Sequence, residues 1–305
     1  MNDGVSVIMP VFEDGARALA AIRSLLDQDL SPEMSLEILV VDDGSRDDTA
    51  DLIAGLTDNR VELLRSAENR GRSEARNLGA RRARSPFIVF IDSDCIPATG
   101  RLLIEHVATL RKGAVASIGH VTGSGEDFWD RYQRDASARR ERQFRQGYVF
   151  SGSSQNLAVV KSAFEEIGGF DAGFRNYGFE DRDLLLRLAV NGDIVWTDGA
   201  CVRHLDELML GQICRKLVEA GKYNAGRFAE IHPAAYRALG YAAVDCRIRP
   251  RLKPFAKLFG PRMIRVADKI EPLLHTHWIP YPLRKGIVKL TSAVSFLYGT
   301  ALTGS

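Results

Sequence analysis

Short apolar runs alternate with amphipathic segments along the first part of the chain. Four runs of five or six residues are rich in Val, Ile and Leu, which is typical of strands buried on both faces of a sheet. These runs cover residues 5–9, 36–41, 61–65 and 87–91. Between them, apolar residues recur every three or four positions, as on one face of a helix. The helical repeats cover residues 16–28, 50–56 and 74–83.

This alternation predicts βαβ units, and therefore an α/β fold with a mostly parallel central sheet flanked by helices. The pattern continues to residue 206, with further helices predicted over 102–110 and 128–144 and another beginning at Glu180. Short strands are predicted over 114–121, 157–159, 194–196 and 201–206. From residue 207 to residue 305 the pattern is helical and strongly basic. We therefore predict a domain over 1–206 and a helical, amphipathic C-terminal extension over 207–305.

Polar residues collect directly after the predicted strands. They lie in the segments Phe12–Asp14, Asp42–Asp43, Asn69–Arg72 and Asp92–Asp94. The carboxyl ends of parallel strands form one edge of a sheet, where α/β proteins bind their ligands. Asp42 or Asp43 can accept a hydrogen bond from a base or a ribose, and Arg72 or Arg76 can donate to a base or a phosphate. The alternative for Asp43 is a turn and a helix cap.

Asp92 and Asp94 follow the most apolar run of the chain. If the extended geometry continues beyond residue 91, the two carboxylates face one space and Ser93 points away. A hard divalent cation that also binds phosphate oxygens suits such a pair. The alternative is a pair of turn-forming aspartates at the end of a strand.

Several motifs, taken in order, resemble family 2 glycosyltransferases. They are Val7–Phe12, Val40–Asp47, Asn69–Gly71 with Glu74–Gly79, and Ile91–Asp94. The resemblance extends over residues 4–206 and implies a GT-A fold, with a nucleotide-sugar half over 1–100 and an acceptor half over 101–206. It implies nucleotide-sugar contacts from Pro10, Val11, Asp42, Asp43, Asn69, Gly71, Arg72, Arg76, Asp92 and Ser93. It also implies a Mn²⁺ or Mg²⁺ ion held by Asp94 and Asp92. The residue after Phe12 is Glu13, where the family often has Asn or Asp.

A second acidic pair, Glu180 and Asp181, begins a very apolar helix. Acidic residues are favoured at helix N-termini by the macrodipole alone, which is the structural alternative. Preceded by Gly168–Asp171, the pair resembles the acceptor-side motif of the same family. That resemblance implies that Asp181 is the catalytic base and that Glu180 binds acceptor hydroxyls. It also implies a late metal ligand at His204, although a lone His is often structural.

Composition narrows the function further. The net charge of +2 gives no reason to expect nucleic acid binding, and the four cysteines form no CxxC pair. No apolar stretch of about 20 residues and no signal peptide are visible, so a cytoplasmic location is expected. The extension mixes Lys and Arg with Phe, Leu and Trp278, which indicates either a segment on the inner face of the membrane or ordinary helical packing. Residues 128–144 are either a solvated helix or a lid in which Trp129 and Tyr132 stack on a sugar.

The function predicted by the resemblance is inverting glycosyl transfer from a nucleotide-diphosphate sugar, with UDP favoured. The transferred group would be a hexose or an N-acetylhexosamine. The acceptor would be a glycan, a glycolipid or a small molecule. The alternatives are a sugar-nucleotide nucleotidyltransferase, for which the glycine-rich basic loop is missing after the first strand, and a non-catalytic membrane-associated binding protein.

Overall fold

The computed structural model describes residues 4–123, 125–205 and 208–302. Two predictions concern residues outside these ranges. One is the domain boundary between Asp206 and Glu207, and the other is the polar N-terminal segment over residues 1–3. Within these ranges, eight strands form one sheet. The strands are β1 Gly4–Val11, β2 Ser35–Asp42, β3 Val61–Arg65, β4 Phe87–Ile91, β5 Cys95–Pro97, β6 Ala116–Gly123, β7 Asn156–Val160 and β8 Ile194–His204.

The helices of the first two thirds lie between these strands. They are α1 Gly15–Leu26, α2 Thr49–Ala54, α3 Arg72–Arg82, α4 Leu102–Arg111, α5 Phe128–Arg145, α6 Lys161–Glu166 and α7 Glu180–Asn191. The last third is helical. Its helices are α8 Leu210–Glu219, α9 Ala225–Ile231, α10 Pro233–Ala238, α11 Lys253–Leu274 and α12 Tyr281–Ala301.

The sheet is mixed, with the strand order β3-β2-β1-β4-β7-β6-β8-β5. Its first four strands are parallel, as the short βαβ spacing predicts. Strand β7 then runs antiparallel to both β4 and β6, while β6 and β8 are parallel to each other. The carboxyl ends of β1, β2 and β4 therefore share one edge.

Side chains of the parallel strands alternate between two cores, one on each face of the sheet. In β4, Val89 and Ile91 pack on the face covered by α1 and α4, whereas Ile88 and Phe90 pack on the face covered by α3, α6 and α7. Helix α3 packs closely because its Gly79 has no side chain. A Cβ at Gly79 would lie 2.5 Å from Ile8 Cγ2. The glycine inside this helix is thus required by packing.

Two details of the sheet differ from the prediction. The separate strands expected over 194–196 and 201–206 are one strand, β8, because a register irregularity against β6 between Ile118 and His120 accommodates the polar residues in the middle. The three-residue strand β5 was not predicted. It pairs antiparallel with β8, with Cys95 opposite His204.

The chain divides into two compact units. The first comprises residues 1–125, 133–172 and 181–206 and contains the whole sheet. The second comprises residues 126–132, 173–180 and 207–305. Its core includes Phe128, Trp129, Leu210, Ala267 and Val288. No helix in the described ranges combines the length and the hydropathy needed to cross a membrane.

Of the two alternatives for residues 128–144, the one in which Trp129 stacks on a sugar is wrong. Its side chain is only 4% exposed, and its indole N–H donates to Glu271 Oε1 at 2.6 Å. Glu271 Oε2 accepts from the Leu210 N–H at 2.6 Å, so this carboxylate joins α11 to two other segments of the helical unit. Tyr132 packs on Trp129 with ring centroids 5.5 Å apart. These aromatic residues belong to a core and are not available as a sugar platform.

Candidate active site

A cleft of about 700 Å³ opens at the ends of the parallel strands. It is lined by Phe12, Glu13, Gly44, Ser45, Arg46, Arg65, Ser66, Ala67, Glu68 and Asn69. Of the predicted nucleotide-binding residues, Asn69 lines this cleft, whereas Pro10 and Val11 are buried at the end of β1. The walls carry both charged and apolar side chains. Such a cleft has the size of a small-molecule site.

Asp42 and Asp43 shape the cleft through hydrogen bonds to its backbone. Asp43 accepts the N–H groups of Arg70 at 2.9 Å and Gly71 at 2.8 Å. Asp42 Oδ1 accepts the Ser45 N–H at 2.9 Å, and its Oδ2 lies 3.3 Å from Arg65 Nε. Burial raises the pKa of Asp43 despite the two N–H groups that it accepts. The hydrogen bond that closes a local turn is made by Asp42, whereas Asp43 bonds to a loop 27 and 28 residues later in the chain. Direct contact of Asp43 with a nucleotide stays a prediction.

Glu13 lies at the cleft in a strained backbone conformation. Its φ is 50°, in the left-handed region that residues other than glycine rarely adopt. The Glu13 N–H donates to Ser45 Oγ at 2.9 Å, and the adjacent Asp14 N–H donates to Thr49 Oγ1 at 3.1 Å. These bonds tie the loop after β1 to the loop after β2. Strain of this kind persists only where the surroundings enforce it, as they do here.

Arg76 and Asp92 form a buried ion pair. Arg76, in α3, is 1% exposed and donates from Nη2 to Asp92 Oδ1 at 2.6 Å. Burial acts to raise the pKa of Asp92, but the charges of Arg76 and Arg72 outweigh it, so this pKa lies below its ordinary value. Among the described residues, Nε and Nη1 of Arg76 have no hydrogen-bond partner. Asp92 is thus a fixed anion at the end of β4.

The expectation that the strand geometry continues through Asp94 is wrong. The Cys95 N–H donates to the Asp92 carbonyl at 3.0 Å, so these residues form a turn between β4 and β5. Ser93 Oγ donates to Asp14 Oδ2 at 3.1 Å. The two carboxylates nevertheless lie close enough for the charge of Asp92 to raise the pKa of Asp94. The turn and the paired carboxylates, weighed above as alternatives, occur together.

Asp94 lies against His204, as the predicted metal pair requires. His204 Nε2 is 3.3 Å from Asp94 Oδ2, and the Leu205 N–H donates to the Asp94 carbonyl at 2.7 Å. The pairing of β5 with β8 creates this contact. Burial and the charge of Asp92 raise the pKa of Asp94, while His204 opposes the shift.

Donor atoms of Asp94, Cys95 and His204 all lie within 4.8 Å of one another. A carboxylate and an imidazole are donors that Mn²⁺ accepts. The Cys95 thiol is different, because burial and then the charges of Asp94 and Asp92 raise its pKa well above the ordinary value. A protonated thiol is a poor ligand. The donor set of Asp94 and His204, with Asp92 behind it, therefore fits a divalent cation better than a soft metal.

Asp181, in the first turn of α7, is held by a pair of serines. Ser154 Oγ donates to its Oδ1 at 2.5 Å, and Ser153 Oγ lies 3.4 Å from its Oδ2. Both serines precede β7, in the small-residue loop that ends at Asn156. This arrangement fixes the carboxylate and leaves it able to accept a proton. The sequence did not single out either serine as a partner of Asp181, because the two segments are 27 residues apart.

Glu180 is buried, 6% exposed, and belongs to the helical unit. Phe179, directly before it in the chain, has a φ of 75° and packs on Phe228 with ring centroids 5.0 Å apart. The backbone that leads into the acidic pair is thus held in a rare conformation by aromatic packing. The acceptor-binding role of Glu180 stays a prediction.

A buried polar network supports the loop that carries the serines. Asn156 Nδ2 donates to the carbonyls of His120 and Ala200, so its Oδ1 accepts the proton of His106 Nε2 at 2.8 Å. His106 Nδ1 then accepts from Ser117 Oγ at 2.8 Å. A neutral imidazole satisfies both bonds, and burial lowers the pKa of His106 to about 4. This network was not predicted, because its members are far apart in the sequence.

The chain belongs to glycosyl transferase family 2, whose sequence profile matches residues 6–168. A second profile, described as the N-terminal domain of galactosyltransferase, matches residues 143–195. The glycosyltransferase GlyG of Streptococcus pneumoniae serotype 4 is 28% identical over 175 residues, 57% of this chain and 52% of that protein. The Escherichia coli protein WfgD, named as a UDP-Glc:alpha-D-GlcNAc-diphosphoundecaprenol beta-1,3-glucosyltransferase, is 36% identical over 101 residues, 33% of this chain and 39% of that protein. The chain thus spans about half the length, or less, of these relatives.

Solved structures confirm the predicted fold. A mannosyltransferase from Pyrobaculum calidifontis, PcManGT, solved with GDP-Man and Mn²⁺, superposes with a TM-score of 0.57 at 18% identity, covering 96% of this chain and 87% of that one. TarS of S. aureus, residues 1–349, gives 0.54 at 17% identity, covering 97% and 90%. The chain has the GT-A fold, with a mixed sheet and a helical C-terminal region. Both the family and the fold class were predicted correctly from the motifs.

Proposed function

We propose that the protein transfers a sugar from a nucleotide-diphosphate donor to an acceptor hydroxyl, with a divalent cation and with inversion at the anomeric carbon. The observation that carries this proposal is the 3.3 Å approach of His204 Nε2 to Asp94 Oδ2 at the end of the sheet. It brings a carboxylate and an imidazole together from segments 110 residues apart. Asp181, which accepts a hydrogen bond from Ser154, would supply a separate carboxylate as the general base.

The donor would lie along the parallel strand ends. The cleft after β1 and β2 would hold the base and ribose, with Asp43 keeping the loop Asn69–Gly71 in place. We propose UDP as the nucleotide, because the WfgD relative is named as an enzyme that uses UDP-Glc. PcManGT was solved with GDP-Man, so nucleotide binding must be measured for this chain. The transferred sugar is proposed to be a hexose or an N-acetylhexosamine.

Asp94 and His204 would hold Mn²⁺ or Mg²⁺, with Asp92 as the neighbouring anion. A bound cation would neutralise the negative charge that grows on the departing diphosphate. The ion pair with Arg76 keeps Asp92 ionised and fixed. Cys95 is not proposed as a ligand, because burial and the charges of Asp94 and Asp92 raise the pKa of its thiol well above the ordinary value.

Asp181 would act as the general base. The acceptor oxygen attacks the anomeric carbon as the bond from that carbon to the diphosphate breaks, and the acceptor proton passes to Asp181. One displacement inverts the configuration, with the same logic as an inverting glycosidase that uses a sugar hydroxyl in place of water. Ser154 would orient the carboxylate, and Glu180 would bind acceptor hydroxyls.

The acceptor is proposed to be a glycan or a glycolipid, with a small molecule as the remaining possibility. The WfgD relative is named for an acceptor sugar linked to diphosphoundecaprenol, which supports a lipid-linked acceptor. A nucleotidyltransferase is disfavoured because the loop Phe12–Gly15 has one glycine and no lysine. A non-catalytic binding protein is disfavoured because Asp92, Asp94 and Asp181 are all present.

The test is a thermal-shift screen of UDP, GDP, ADP and CDP, each with and without Mn²⁺. A true ligand stabilises the folded state by mass action, by about 2.7 kcal/mol at a hundred times its Kd. We expect UDP to raise the melting temperature in the presence of Mn²⁺ and to do so less without it. A screen in which no diphosphate shifts the wild type with Mn²⁺ would overturn the proposal.

A further inference from the structure

The outer face of α11 carries large apolar and basic side chains on one line. Its residues Phe255, Phe259, Arg262, Val266, Lys269 and Leu273 are spaced alternately four and three apart and are all exposed. That spacing keeps them on a single helix face, here called the α11 stripe. Phe255 is 45% exposed and Phe259 is 41% exposed. The stripe is about 27 Å long, since 18 residues separate its ends.

The buried face of α11 carries mainly small residues. Its buried residues are Ala256, Gly260 and Ala267, with Leu274 at the end of the helix. A Cβ at Gly260 would lie 2.3 Å from Tyr298, so α11 approaches α12 closely there. The small residues face the helical unit and two phenylalanines face outward. Solvent exposure of the larger apolar residues therefore needs a partner to explain it.

Charge identifies the kind of partner. Residues 247–305 contain eleven Lys and Arg and two acidic residues, a net charge of +9, in a chain whose total is +2. Both acidic residues have other partners: Asp268 lies 3.2 Å from Arg215 Nη1, and Glu271 accepts from Trp129. Within the described part of the chain, neither Arg262 nor Lys269 forms an ion pair.

We propose that the α11 stripe, together with Trp278, binds the surface of an anionic lipid bilayer. Lys and Arg that alternate with Phe, Val and Leu can place their charges among phosphate headgroups while the apolar side chains enter the acyl boundary. Trp278, in the connection between α11 and α12, is 76% exposed, and tryptophan favours the membrane–water interface. This inference concerns a surface separate from the proposed catalytic residues and does not depend on them.

The partner is proposed to be a lipid surface and not a protein, because the stripe holds only cations and apolar groups and no carboxylate. A second copy of this chain would use the same patch twice and would bring two copies of Arg262 and Lys269 into one interface. Such an interface would concentrate positive charge with no carboxylate of the stripe to offset it. A bilayer that contains anionic lipid offers negative headgroups to the basic side chains and an acyl region to the apolar ones.

The experiment is co-sedimentation of the full chain with vesicles of phosphatidylcholine, with or without phosphatidylglycerol. We expect the protein to bind the anionic vesicles at least about tenfold more strongly, and salt raised from about 0.1 M to about 0.5 M to weaken that binding. The double variants Phe255→Ser/Phe259→Ser and Arg262→Glu/Lys269→Glu should each lose at least about tenfold. Arg262→Lys/Lys269→Arg should retain it.

A matched control changes one exposed apolar and one exposed basic residue elsewhere. Val190 is 83% exposed and Lys112 is exposed at the end of α4, so Val190→Ser/Lys112→Glu should bind as the wild type does. Far-ultraviolet circular dichroism melts would verify that all variants are folded. Equal binding to both vesicle types, or equal losses in the stripe and control variants, would overturn the proposal.

Trp278 also serves as a built-in reporter, because Trp129 and Trp196, the other two tryptophans, are buried. We expect its emission to shift to the blue on anionic vesicles and to be quenched by brominated lipid. Trp278→Phe should abolish both effects. Light scattering without lipid gives the competing outcome: a dimer that the stripe variants convert to monomer, with no vesicle binding, would contradict the proposal.

Discussion

Arg76 Nη2 donates a 2.6 Å hydrogen bond to Asp92 Oδ1, and the arginine is almost completely buried. The pair joins α3 to the end of β4. A buried pair of this kind adds little net stability compared with apolar residues, but loss of one partner strands the other charge. Removal of Arg76 alone should therefore lower the stability of the folded protein.

We predict that Arg76→Leu lowers the free energy of unfolding by about 3–5 kcal/mol, because Asp92 is left as an unpaired buried carboxylate. Adding Asp92→Asn should recover part of that loss. The measurement is urea unfolding of Arg76→Leu, Asp92→Asn and the double variant. The matched control is Arg81→Leu on the same helix, an exposed arginine whose partner Glu74 is partly exposed, and it should cost less than about 1 kcal/mol. A double variant as unstable as the sum of both single variants would contradict a direct pairing.

Asp43→Ala should weaken UDP binding, because the Arg70 N–H loses its acceptor and the Gly71 N–H keeps only its 3.1 Å bond to Asn69 Oδ1. Hydrogen bonds to a charged group contribute about 1.5–3 kcal/mol each, so the loss of order should raise the Kd by about 10- to 100-fold. Isothermal titration with UDP and Mn²⁺ measures this effect. Asp51→Ala, an exposed change in α2, is the control. An unchanged Kd in Asp43→Ala would show that this loop is not part of the donor site.

Ser154→Ala should lower kcat by about tenfold, because Asp181 loses the hydroxyl that orients it. The donor KM should stay within about twofold, since Ser154 acts through the base and not on the nucleotide. Ser151 is a matched control in the same loop. Its hydroxyl is buried and has no hydrogen-bond partner among the described residues, so Ser151→Ala should retain wild-type kcat. Equal losses in both variants would indicate a general packing effect.

The buried His106 predicts a pH dependence of stability. Its pKa is about 4 in the folded protein, whereas an unfolded histidine has about 6.5. Between these values the unfolded state binds a proton that the folded state does not. The contribution is therefore fully present above about pH 6.5 and is lost as the pH falls towards 4.

By pH 5 this term should remove about 2 kcal/mol of the free energy of unfolding. The measurement is urea unfolding at about pH 7 and about pH 5 for the wild type, His106→Gln and the exposed-histidine control His277→Gln. We expect the loss between the two pH values to be smaller in His106→Gln and unchanged in His277→Gln. Identical losses in all three proteins would exclude His106 as the cause.

The strands and their polar ends were predictable because each parallel strand is a continuous apolar run with polar residues directly after it. Phe87–Ile91 and Val61–Arg65 were located correctly for this reason. Strand β5 was missed because three residues carry no periodic signal. No strand was predicted over residues 197–200, yet β8 continues through them with a register irregularity against its partner β6.

Within the site, proximity between distant segments could not be predicted without the family motifs. Nothing local to His204 indicates Asp94, and nothing local to Asp181 indicates Ser154. The pairing of Cys95 with His204 creates the first contact, and the loop before β7 creates the second. Sugar stacking by Trp129 was considered because the residue lies in a strongly charged segment. Its burial could not be predicted, because its partner Glu271 lies 142 residues away in the sequence.

One set of measurements can separate the proposed roles of Asp94 in cation and donor binding and of Asp181 as the general base. The variants are Asp181→Asn and Asp94→Ala, assayed for Mn²⁺-dependent turnover of the UDP-sugar and titrated with UDP and Mn²⁺. We predict that Asp181→Asn loses at least about a hundredfold in turnover while its Kd for UDP with Mn²⁺ stays within about twofold of wild type. Asp94→Ala should lose both turnover and the Mn²⁺ dependence of UDP binding. Full turnover in Asp181→Asn, or unchanged Mn²⁺-dependent binding in Asp94→Ala, would contradict the account.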